Sequence, residues 1–216
     1  MKLLTVTDLI KKGRFPDSHA FERVMSDVRE AVDAVRWPPG SNTFTIYPES
    51  GKERGKGNGV KPIKEGFTAK LHDNGWRLEG AYPQAKDNDD ATDDLQRVTR
   101  PGAFDAWLDL DSYNFQPFVV EWETGNISSS HRAINKMALA LLTGHISGGL
   151  LVLPTRNLYR FLTDRVGNYQ ELAPYFPLFS ALHVDTGYLG IVAVEHDATS
   201  LDVPRIAKGT DGRALI

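Results

Sequence analysis

Apolar side chains return at steps of three and four along residues 18–36. Phe21, Val24, Met25, Val28, Val32 and Val35 fall on one face of a 3.6-residue period, which predicts an amphipathic helix there. Pro16, Asp17 and Ser18 supply start signals, and Pro38-Pro39-Gly40 supplies the stop. Residues 43–47 alternate in the manner of a strand. Ile63, Phe67 and Leu71, spaced by four, predict a short helix ending near Gly75. Residues 104–111 and 118–123 read as strands, with turn residues at 112–117 between them. A helix over about residues 129–142 carries Ala133, Ile134, Met137, Ala138 and Leu141 on one face and stops at Gly144. Leu158, Phe161 and Leu162 begin another helix running into Asp164-Arg165. Residues 150–153 and 188–195 read as buried strands. Helices and strands interleave without a repeat or a clean linker, which predicts one α/β domain over residues 1–216.

Two stretches break the pattern. Residues 48–61 hold four glycines and five charges before the closing lysine, the composition of a mobile loop with Lys52, Arg54 and Lys56 exposed. A solvated linker and a backbone-contacting arm fit it equally. Residues 83–102 are polar and acidic and read as a surface loop.

Composition narrows the class. With 41% hydrophobic and 25% charged residues, the chain is neither collagenous nor wholly disordered. It has no cysteine, which excludes disulfide scaffolds and Cys-ligated metals. No apolar run approaches the ~20 residues of a membrane span, and the N-terminal stretch lacks secretory features, so a cytoplasmic setting is expected. The net charge of −3 argues against a general nucleic-acid coat but leaves room for a local basic cleft.

The chemistry concentrates in residues 117–132, PFVVEWETGNISSSHR. On a strand, Glu121 and Glu123 share one face while Val120 and Trp122 share the other. Asp105 lies on the preceding strand-like segment, and Glu79 lies upstream in WRLEG. If these four carboxylates converge, each pair at ~5 Å repels by about 3 kcal/mol at an effective dielectric of about 20. Such a cluster needs a divalent cation or shifted acidities. An oxygen-only donor set favours Mg²⁺, Mn²⁺ or Ca²⁺ over zinc. Spacing alone leaves the ordinary alternative open, because E-x-E strands usually make salt bridges.

Longer blocks say more. Trp37-Pro38, Thr43-Phe44-Thr45-Ile46, Asn58-Gly59-Val60 and Pro62-Ile63-Lys64-Glu65 are followed by Glu121-x-Glu123-Thr124-Gly125-Asn126-Ile127-Ser128-Ser129, His131-Arg132 and Asn135-Lys136. Leu162-Thr163-Asp164-Arg165-Val166, Glu171-Leu172, Pro174-Tyr175-Phe176, Val203-Pro204 and Lys208-Gly209-x-Asp211-Gly212 complete the series. In these blocks the chain resembles the BamHI-like type II restriction endonucleases, a variant of the PD-(D/E)xK nucleases, over nearly its whole length.

The resemblance implies a central mixed β-sheet flanked by helices, used as a homodimer on palindromic double-stranded DNA. It implies a catalytic set of Glu79, Asp105, Glu121 and Glu123, with Glu123 standing where most relatives of the wider group carry lysine. Glu79, Asp105, Glu121 and the Trp122 carbonyl would hold Mg²⁺, with Mn²⁺ as a substitute and Ca²⁺ supporting binding without cleavage. Glu123 would take the proton of the attacking water. Asn126, Ser128, Arg132, Asp164 and Arg165 match base-contacting positions, and Lys64 matches a lysine near the DNA. The implied target is GGATCC, cut after the first G. The helix over 129–142, through Leu139 to Leu142, is the candidate dimer seam. Residues 203–216 form a candidate C-terminal arm, and a companion DNA methyltransferase is the implied functional partner in a prokaryotic cell. The rivals are a cleavage-incompetent DNA-binding protein of the same fold and a glycoside hydrolase using Glu121 and Glu123. Four intact carboxylates count against the first. The second leaves Asn126, Ser128 and Arg132 without work.

Overall fold

The computed structural model describes residues 1–52, 55–82, 101–163 and 166–208. Arg54, Asp164, Arg165, nearly all of the acidic 83–102 stretch and the last eight positions of the C-terminal arm lie outside the described residues.

Six strands form one sheet in the order β1-β7-β6-β5-β4-β3. They are β1 (Lys2–Lys12), β3 (Arg77–Gly80), β4 (Phe104–Leu108), β5 (Phe118–Trp122), β6 (Gly148–Pro154) and β7 (Gly187–Glu195). β5, β6 and β7 run parallel, and the strands on either side join antiparallel, so the sheet is mixed as expected. A second, two-stranded parallel sheet pairs β2 (Thr45–Ile46) with β8 (Ala198–Thr199).

Helices cover both faces of the large sheet. On one side, α1 (His19–Ala34) and α2 (Lys61–Asp73) pack Val24, Val28, Phe67 and Leu71 against Phe118, Val120 and Trp122. On the other, α3 (Ile127–Leu142) packs Ile134 and Met137 against Val119, Leu151 and Ile191. Residues of β6 are therefore buried throughout, which is why GGLLVLP shows no polar alternation. Each large side chain moved from water into these layers contributes roughly 1.5–3 kcal/mol. Among the described residues no helix is long and apolar enough to cross a membrane.

The helical periodicities hold well. α1 begins where Ser18 accepts a hydrogen bond from the Phe21 N–H, and α2 buries Ile63, Phe67 and Leu71. Other expectations need correction. The strand expected at 43–47 shrinks to two residues. α3 starts two residues early because Asn126, not a serine, caps it. The helix expected from Leu158 is the single turn α4 (Arg156–Tyr159), beyond which Leu162 bridges to Asn58. β1 escaped notice because its register shifts twice against β7, which scrambles the alternation of its side chains.

Within 48–61, the stretch expected as a mobile loop, Gly51 and Asn58 are tied into the fold. Gly51 N–H donates to the Arg160 carbonyl at 2.9 Å, and a side chain there would strike the Leu162 carbonyl at 1.5 Å. Asn58 is fully buried and donates from Nδ2 to the Tyr47 and Phe161 carbonyls, both at 2.8 Å. Its Oδ1 accepts from Ile206 N–H at 3.1 Å, which pins the described start of the C-terminal arm.

Candidate active site

The β-sheet register brings two of the four carboxylates together and leaves a third on the neighbouring strand. Leu78 pairs with Ala106 and Gly80 with Phe104, which sets Glu79 opposite Asp105. Ala106 pairs with Val120, so the same register carried one step further sets Asp105 opposite Glu121. Directly opposed residues of an antiparallel pair project to the same face. Asp105 and Glu121 thus stand side by side on β4 and β5, beside the carboxyl ends of the parallel strands, while the left-handed backbone of Glu79 breaks the pleat on β3. That edge is where open α/β sheets place their ligands.

The pair is met by ammonium groups. Lys64 on α2 donates to Asp105 Oδ1 at 2.7 Å, and Asp105 Oδ2 accepts the Trp122 N–H at 2.9 Å. The Lys136 ammonium on α3 forms an ion pair with Glu121 Oε1 and donates to the Ala103 carbonyl. Among the described residues, no three His, Asp or Glu side chains lie close enough to hold a metal ion. The expectation that four carboxylates meet in one pocket is corrected accordingly. Asp105 and Glu121 are neighbours, while Glu79 stands in a left-handed conformation (φ 53°) with its side chain exposed on β3.

Burial raises the Glu121 pKa to about 7, with the charge of Asp105 adding to the rise and Lys136 and Lys64 opposing it. Glu121 Oε1 is buried, and the Lys136 ammonium is its partner. A buried carboxylate next to a second carboxylate fits a hard divalent cation. The Trp122 indole is packed in the core against Phe67, so only its backbone carbonyl is available as a donor.

Glu123 follows β5. Burial pushes its carboxyl up, Asp105 adds to that, and the Gly125 N–H, Lys64 and Arg132 pull it down. Gly125 N–H donates to Glu123 Oε1 at 2.5 Å. A Cβ at this glycine would sit 2.8 Å from both Glu123 Oε1 and Ser129 Oγ, so a larger residue would push these side chains out of their present places.

α3 starts directly after these residues. Asn126 Oδ1 accepts the Ser129 N–H at 3.1 Å as the helix cap. Ser128, Arg132, Asn135 and Leu139 form an exposed stripe at steps of four, three and four, lining a groove of about 420 Å³ with Lys136. Ser128 faces solvent with Arg132. Lys64, expected near DNA, is held on Asp105. Asp164 and Arg165 lie outside the described residues, but their flanks are anchored. Thr163 N–H donates to the Asn58 carbonyl and Gly167 N–H to the Gly125 carbonyl, both at 2.8 Å.

Lys136, in contact with Glu121, is the residue of the site that the sequence pattern does not single out. Its signal is its placement: it sits three residues after Ala133 and four before Ala140, inside the apolar stripe of α3. A lysine on the buried face of a helix demands a buried acid.

The chain is 42% identical over 215 residues to the type II restriction enzyme OkrAI of Oceanobacter kriegii, with both chains covered completely. It is 33% identical over 209 residues to the type II restriction enzyme BamHI of Bacillus amyloliquefaciens, covering 96% of this chain and 89% of that one. Its fold is similar to that of the restriction endonuclease BglII in a crystal structure with a DNA 16-mer. The TM-score is 0.56 at 12% identity, over 91% of this chain and 79% of that one. The family model for restriction endonuclease BamHI matches residues 1–213, and the chain belongs to that family of type II restriction endonucleases.

Proposed function

We propose that this restriction endonuclease hydrolyses palindromic duplex DNA at GGATCC, after the first G, as a homodimer with Mg²⁺. The observation that carries the reading is the pairing of half-buried Asp105 with buried Glu121 beside the exposed stripe of α3. Reactive groups and sequence-reading groups then meet one duplex together. Asp105 and Glu121 would hold the ion, with the Trp122 carbonyl as a further oxygen donor. A bound divalent ion supplies positive charge to the scissile phosphate and makes water more acidic.

The remaining work falls to side chains. Glu123, its acidity weakened by burial, accepts the proton of the attacking water, and the Gly125 N–H fixes its orientation. Arg132 and Arg165 suit the N7 and O6 edge of guanine, Asp164 suits cytosine N4, and Asn126 and Ser128 add shorter polar contacts. The free N–H groups at the start of α3 favour phosphate. Leu139 and Leu142, both exposed on α3, supply an apolar seam for a second copy of the chain.

A plasmid bearing a single GGATCC tests the reading. Linear product with Mg²⁺ and none with EDTA is the expected result. Retarded but intact DNA with Mg²⁺ would reduce the protein to a sequence-specific binder. Ca²⁺ is expected to support binding without cleavage, because it tolerates looser coordination than the octahedral geometry Mg²⁺ demands.

A further inference from the structure

Lys136 is out of place on stability grounds alone. Its side chain is 9% exposed and its partner Glu121 is 8% exposed, so both charges have been taken out of water. Such a pair is weak evidence for stability, since desolvation consumes most of the attraction. The lysine is also held on two further sides. Its ammonium donates to the Ala103 carbonyl, one residue before β4, and lies 4.7 Å from the centre of the Phe104 ring. One ammonium therefore joins three elements: α3, the start of β4 with Asp105, and β5 with Glu121.

The position of Lys136 on α3 gives this junction its meaning. It lies four residues after Arg132, one turn along the same helix, and it lines the groove with Ser128, Arg132 and Asn135. A displacement of α3 along or about its axis carries the ammonium with it. Lys64 repeats the arrangement from the opposite face, where α2 reaches Asp105. Lys64 is 38% exposed, however, and free to exchange its partner for solvent or phosphate. Lys136 is not.

We propose that Lys136 is a positioning residue that holds the Glu121 carboxylate from α3, so that the helix presenting the duplex-facing stripe also sets the acid at the reacting end of β5. The proposal rests on the reading of α3 as the helix that meets DNA. With its side chain only 9% exposed and its ammonium on Glu121 and Ala103, Lys136 acts through Glu121 in this proposal.

Lys136→Met keeps the aliphatic stem and deletes the charge. Single-turnover cleavage of a duplex carrying GGATCC is measured with Mg²⁺, and affinity for the same duplex by fluorescence anisotropy with Ca²⁺. The expected result is cleavage about 100-fold slower with affinity altered by less than about threefold, the mark of a misplaced group rather than a lost contact. An affinity loss as large as the rate loss would make Lys136 a duplex contact and overturn the proposal. Thermal unfolding in EDTA supplies a readout that needs neither DNA nor metal. Lys136→Met is expected to melt below the parent, and adding Glu121→Gln is expected to recover part of the difference, because the buried acid then no longer lacks a counter-charge. A double variant melting at or below Lys136→Met would show that the ammonium does not act through Glu121. Should the parent fail to cut GGATCC, the proposed function falls, while the melting comparison still decides the link between Lys136 and Glu121.

Discussion

Two glutamates end neighbouring parts of the same sheet in opposite circumstances. Glu195 closes β7, and it is buried. Its Oε2 accepts the Thr155 hydroxyl and its Oε1 accepts the His196 N–H at 3.2 Å. Thr155 in turn caps α4 by accepting the Leu158 N–H at 3.2 Å, so this carboxylate braces a turn of the scaffold. Glu121, near the end of β5, is as deeply buried but is met by the Lys136 ammonium, with a second carboxylate alongside. A buried acid whose lone pairs are filled by hydroxyl and N–H donors is structural. One left with cations as its only compensation stores an electrostatic demand that a divalent ion can meet.

Exchange of the acid for its amide separates the two most sharply. Glu121→Gln is expected to lower the cleavage rate by at least about 1000-fold, equivalent to about 4 kcal/mol of lost transition-state stabilisation. Glu195→Gln is expected to cleave within a few-fold of the parent per folded molecule while losing about 1–3 kcal/mol of stability, read by urea unfolding. Similar activity losses in both would erase the distinction between them.

Lysine substitution asks what the two glutamates of the E-x-E do. Glu123→Lys is expected to retain about 10²-fold more activity than Glu121→Lys, because a proton acceptor can be replaced by another base while an ion-holding carboxylate cannot. Equal losses in plasmid cleavage would remove the base role from Glu123.

Acidity gives a third contrast. Folded Glu121 keeps its proton up to pH about 7, whereas a glutamate in the unfolded chain releases its proton near 4.5. Between those values the folded state binds more protons, so metal-free stability falls as pH rises through the window, by about 3 kcal/mol at most. Unfolding titrations in EDTA check this. Glu121→Gln is expected to flatten the slope, and Glu195→Gln is expected to leave it intact.

The smallest effect concerns the helix start. Asn126→Ala removes the cap of α3 and is expected to cost about 1 kcal/mol of stability. If Asn126 also touches a base, discrimination between GGATCC and singly substituted sites narrows by more than that loss explains. A stability loss with unchanged discrimination would confine Asn126 to capping.

Much of the scaffold could be read from residue patterns. The valines of α1 and the Ile63, Phe67 and Leu71 series of α2 need only one buried face, and period alone reveals it. β5 and β6 were recognisable as apolar runs. β1 was not, because two register shifts against β7 break its alternation, and β3 is four residues of largely exposed chain. In the site, Glu121 was legible from strand geometry and Asp105 as its companion on β4, whereas Glu123 lies beyond the end of β5. The two lysines between the carboxylates were hidden. Lys64 was seen as a duplex contact, and Lys136 was passed over inside an otherwise apolar stripe.

The residue order alone supplied the helical faces, the strand runs and the motif blocks that mark the family, since these depend on neighbours within a turn or two. Folding in three dimensions settled which acids lie side by side and which cation each one faces. That choice depends on how β3, β4 and β5 register against one another and on how far α2 and α3 reach over the sheet. A one-residue slip in either antiparallel pairing would turn the carboxylates to opposite faces, and nothing local to any single segment forbids it.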